Sequence, residues 1–81
     1  MRQVKWVYMG RHLLNGIAHY MYKDCDTLEV YIHDHPMPKL HVGVMYRVVI
    51  DDDGGISIPP TILGRWPNEM EITRWMREDM R

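Results

Sequence analysis

The sequence predicts an α+β protein that is mostly β: a small antiparallel sheet of five strands, curled or partly closed, followed by one amphipathic helix. Three observations carry this. Segments rich in β-branched and aromatic residues recur over residues 1–58, glycine- and aspartate-rich turns separate them, and only residues 68–81 show a helical period. At 81 residues the chain has room for a single domain, spanning 1–81.

The first strand is expected at residues 4–9, with Gly10 and then Asn15-Gly16 setting up a turn into a second strand at 17–23. In that second segment Ile17, His19 and Met21 alternate with Ala18, Tyr20 and Tyr22, so each face carries apolar material. Asp24-Cys25-Asp26 reads as the next turn, leading to a third strand at 27–33. There Leu28, Val30 and Ile32 alternate with Glu29, Tyr31 and His33, the pattern of a strand buried through its aliphatic side. Pro36 and Pro38 cannot donate to a ladder and end that strand.

The fourth strand, at 41–50, is the longest of the five by this reading. Val42, Val44, Tyr46, Val48 and Ile50 share one face, and Gly43 marks a bulge or a close crossing. Asp51-Asp52-Asp53-Gly54-Gly55 turns the chain into a short fifth strand at 56–58, which Pro59-Pro60 closes. Five strands with one long member suit a curled sheet or a partly open, SH3-like barrel better than a flat sandwich. Residues 59–67 are then a hinge between sheet and helix.

The helix is expected over 68–81. Asn68 can cap it, with Glu71 at capping-box spacing. Glu69 and Glu71 come early and Arg74, Arg77 and Arg81 late, as the helix dipole favours. Ile72, Trp75, Met76 and Met80 form one stripe. A helix this short is marginal on its own, so it must pack on the sheet or on another chain.

Composition excludes several classes of function. The single cysteine, Cys25, cannot form an internal disulfide. The first residues lack the apolar run of a signal peptide, and no apolar stretch approaches the ~18 residues needed to cross a bilayer. A reduced, cytoplasmic protein without membrane contact is the expectation. Residues 1–23 carry a charge of +4, residues 24–53 carry −5 and residues 54–81 carry 0. In a compact β fold the basic first strands and acidic middle strands lie side by side and offset each other.

No catalytic set is visible, so the chain is expected not to be an enzyme and to need no cofactor. Cys25 lies between Asp24 and Asp26, whose charges raise a thiol pKa, and the only serine, Ser57, falls within a predicted strand. His33, His35 and His41 are the one concentrated set of metal-ligand types. His35 precedes Pro36 and no cysteine pair lies nearby, so no metal site is expected. The Asp51–Asp53 run lacks the alternate-position spacing of a calcium loop, and Gly54-Gly55 leads into a strand rather than a phosphate-binding helix.

Binding is therefore the expected activity. The chain holds eight Met and three Trp but no Phe, and Met side chains adapt to partners more readily than they specify a rigid core. Trp66, Met70, Trp75, Met76 and Met80 gather in the C-terminal segment, where a partner protein, or a second copy in a homo-oligomer, could use them. The competing expectation is that this stripe simply covers the sheet. The alternative function is a nucleic-acid-binding small barrel that stacks bases on Tyr8, Tyr20 and Tyr22, framed by Lys5 and Arg11. A net charge of −1 weighs against it.

The ordered run of Tyr8-Met9-Gly10-Arg11, then Asn15-Gly16 leading to Tyr20-Met21-Tyr22-Lys23, then 41–48 leading to Asp53-Gly54-Gly55, resembles small uncharacterised β-rich proteins of actinobacteria and their bacteriophages. The likeness covers about residues 8–58. It implies a context rather than a site: a phage-encoded accessory protein that binds and redirects a host protein. No functional residue is carried over by it.

Overall fold

A computed structural model describes residues 1–34, 39–58 and 61–79. Along the chain these form β1 (Arg2–Leu14), β2 (Ile17–Asp24), β3 (Val30–His33), β4 (Val44–Ile50), β5 (Ile56–Ser57), β6 (Ile62–Arg65) and α1 (Glu69–Asp79). All pairings are antiparallel, in the spatial order β3-β2-β1-β4-β5, and the sheet curls into a half-barrel followed by the helix.

The fifth position in that order is divided. β5 pairs with Val49 and Ile50, while β6 pairs with Val44 to Tyr46 on the same side of β4, so the two short strands lie in line. The 59–67 segment, expected as a hinge, thus contains a strand. Nothing in its side chains announces it, because Ile62 and Leu63 are both exposed and backbone pairing alone defines it.

β1 is also longer than expected. The chain does not stop at Gly10 but bulges there, with the register shifting between Tyr8 and Gly10. The turn comes at Asn15-Gly16, where φ values of 53° and 79° and the Leu14–Ile17 pair define a two-residue hairpin loop. Positive φ at both central residues is what the right-handed strand twist selects, and Asn-Gly is the pair that tolerates it.

The sheet buries both of its faces. On the concave side Trp6, Tyr8, Tyr22, Tyr46 and Val48 form an aromatic core, with Val4, Tyr31, Leu40 and Ile50 packed around it. On the other side Val7 meets Ile72 and Trp75 of α1, flanked by Met9, Cys25, Met45 and Trp66. Val42 touches both clusters. Tyr22 Oη and Trp6 Nε1 are buried without a hydrogen-bond partner among the described residues.

The third strand differs most from its sequence pattern. Residues 27–29 are not extended: the Asp24 carboxylate accepts from the N–H groups of Asp26 and Thr27, Leu28 N–H donates to the Asp24 carbonyl, and Leu28 has a φ of 66°. Where the strand does form, it faces the opposite way. Leu28, Val30 and Ile32 are 55%, 47% and 49% exposed, whereas the Tyr31 ring stacks on Trp6 at 4.7 Å and His33 meets the edge of Tyr22 at 5.7 Å.

Pairing with β2 is the cause. Tyr31 sits opposite Tyr22 and His33 opposite Tyr20, which continues the aromatic face across the sheet. Aromatic rings bury more area than Val or Ile and hold this side in the core. On the opposite side α1 packs on β1, and Val30 and Ile32 stay exposed.

Candidate interaction surface

The helix is fastened along its whole length. Asn68 Oδ1 accepts from the Glu71 N–H at 3.1 Å, the expected cap. Lys23 donates to Glu71 at 2.9 Å and lies 5.4 Å from the centre of the Trp66 ring, whose Nε1 also donates to Glu71 at 3.4 Å. The Lys23 hydrogen bond, reinforced by Trp66, outweighs desolvation and holds the Glu71 carboxyl below its usual range. At the other end His12 Nδ1 lies 3.1 Å from Glu78, and Arg11 N–H donates to Asp79.

This anchoring divides the residues expected to bind a partner. Trp75 is 3% exposed and belongs to the core, a correction to its place in a partner surface. Trp66 is half-buried and braces the start of the helix. Met70 and Met76 are 85% and 50% exposed, but six positions set them about 120° apart around the axis, so they do not form one seam. Met80 lies outside the described residues.

The nucleic-acid set is likewise not brought together. Tyr8 and Tyr22 are buried in the aromatic core and offer no face to a base. Burial raises the Tyr22 hydroxyl pKa, and that of Tyr8 to about 12. Tyr20 is partly buried beside them and pairs with the exposed Arg11, whereas Lys5 pairs with Arg47 on the opposite side of the sheet. Basic and aromatic groups therefore do not frame a common platform.

Groups with chemical potential are engaged elsewhere. Burial comes first in raising the Cys25 thiol to about 11; Asp24 and Asp26 add to it and Lys5 opposes it. His33 packs against aromatic rings, His41 is an exposed residue whose backbone N–H donates to Tyr46 Oη at 2.9 Å, and His35 lies outside the described residues. Among the described residues no three His, Cys, Asp or Glu side chains converge as metal ligands. A recess of about 280 Å³ at one end of the half-barrel is lined by Trp6, Asp24, Asp26, Glu29 and Tyr31 among others. Two of its carboxylates are already occupied, Asp24 by the turn N–H groups and Glu29 by the Tyr31 hydroxyl at 2.7 Å.

Among the described residues, what stands open is the edge of β3. Asp24 N–H donates to the Glu29 carbonyl at 2.8 Å. Antiparallel alternation then makes Tyr22–Tyr31 and Tyr20–His33 the bonded pairs and turns the N–H and C=O groups of Val30 and Ile32 away from β2. The same two residues expose their aliphatic side chains beside Lys23 and Met21. Natural edges are commonly guarded by Lys, Pro or a bulge, and Val30–His33 carries none of these.

Sequence patterning found this strand but read its apolar residues as core. The signal was the aromatic alternation itself: Tyr31 and His33 compete with Val30 and Ile32 for the interior. No family model matches the chain, and no curated protein or solved structure is significantly similar to it. Among the described residues no helix is long and apolar enough to cross a membrane.

Proposed function

We propose that this protein is a non-enzymatic protein-binding module that takes an extended segment of its partner along the free edge of β3. The observation that carries the reading is that Val30 and Ile32 combine outward backbone groups with exposed aliphatic side chains. An added strand would gain main-chain hydrogen bonds from the first and side-chain contacts from the second, the two components of recognition by β-addition. Met70 and Met76 supply further exposed apolar contact on the helix. The resemblance to small phage and actinobacterial proteins supports a protein of the host cell as one such partner.

A photo-crosslinking side chain tests this reading. Benzophenone placed at Ile32, and separately at the exposed control Asp53, is activated in lysate of the cells that make the protein. Discrete adducts from Ile32 alone support edge binding. No adduct, or the same adducts from Asp53, would overturn it.

A further inference from the structure

We infer that the β3 edge pairs with a second copy of this chain, antiparallel, in the one register centred on Tyr31. The inference rests on the edge-binding reading and names its partner. Only Val30 and Ile32 turn both of their backbone groups outward from β3. A two-fold axis through Tyr31 sets Val30 opposite the Ile32 of the second copy, and Ile32 opposite its Val30. All four outward groups of each strand are then bonded. Registers centred on Val30 or Ile32 align only one of these residues with its counterpart and leave the other facing a position outside the matched pair.

Side chains agree with this register. Val30 and Ile32 meet in a cross-strand aliphatic pair on the helix side. The opposite edge of the sheet offers no equivalent template, since β5 has two residues, β6 has four, and the β4–β6 register slips between Met45 and Tyr46. A four-residue ladder is small, which places the dimer among weak, concentration-dependent associations.

The experiment uses the full chain in a Cys25→Ala background, with Tyr31→Cys, Val30→Cys and Ile32→Cys each oxidised gently. In the proposed register Tyr31 faces its own copy across a non-bonded pair, about 4.5 Å between Cα atoms, within disulfide range. Tyr31→Cys is expected to cross-link to itself. Val30→Cys and Ile32→Cys are expected to cross-link when mixed but little when alone, because self-pairing spans a diagonal of about 7–8 Å. Circular dichroism of each variant confirms that it is folded.

Sedimentation of the unaltered chain should show a mass rising above 9.7 kDa with concentration. Ile32→Lys, which leaves the concave core untouched, should weaken self-association about tenfold or more. A monomer at all concentrations without thiol cross-links overturns the inference, as does a dimer with another register or one indifferent to Ile32→Lys. In either case a benzophenone adduct from Ile32 to a different protein leaves edge binding standing. The absence of any adduct removes both.

Discussion

At the scale of single residues, Gly43 shows how closely the helix lies on the sheet. A Cβ built there would stand 2.9 Å from three carbons of Ile72, and the residue has a φ of +84°. A side chain is thus opposed by both the backbone and its neighbour. Gly43→Ala is expected to cost about 1–3 kcal/mol, measured by chemical denaturation. The sequence pattern marked this glycine as a bulge or a close crossing. The structure makes it a crossing, just before β4 begins at Val44. Asp24 shows a second local economy: one carboxylate takes two N–H groups of the turn, and the peptide before β3 bends instead of extending.

At the scale of elements, α1 is a lid on the convex side of β1 rather than a free recognition helix. Two substitutions separate these roles. Trp75→Ala removes a ring that is 3% exposed and is expected to destabilise the fold by about 3–5 kcal/mol, whereas Met70→Ala, at an 85% exposed site, should stay within about 0.5 kcal/mol. Thermal melts of the two variants check this, and equal shifts would contradict it. The helix was largely legible beforehand, from Asn68 at its cap to the spacing of Ile72 and Trp75, because capping and amphipathic period are local properties. β6 was not. Its Ile62 and Leu63 have no buried face, so its existence depends on a backbone partner, β4, distant in sequence.

At the scale of the whole molecule, ionised groups tie parts of the chain together and set its response to acid. Desolvation alone would raise the Asp24 carboxyl pKa, but hydrogen bonds from Thr27 and Asp26 outweigh it and hold the group below its ordinary 3.8. The nearby Trp6 indole contributes in the same direction without a well-formed hydrogen bond. Glu71, bound to Lys23, is held below its ordinary 4.5. Because the folded state has the lower pKa in both cases, the unfolded chain binds protons first as pH falls. Their contribution is full above pH 4.5 and is lost as the pH falls below it through the folded values. Thermal stability should drop over that acid range, and Lys23→Met, costing about 1–2 kcal/mol near neutrality, should flatten part of the drop.

Residue types and their local spacing determined that this chain makes an antiparallel sheet with an Asn-Gly hairpin and a capped terminal helix. They also separated the two sides of each strand. Which side became the interior was decided only in three dimensions. A period of two states that Val30 and Ile32 face away from Tyr31 and His33, but is silent on which set is inside. Pairing with Tyr20 and Tyr22 turned the aromatic set into the half-barrel, and with α1 packed on β1 the aliphatic set stands exposed. The same competition took Tyr8, Tyr22 and Trp75 out of the surface and made a strand expected to be core an open edge among the described residues.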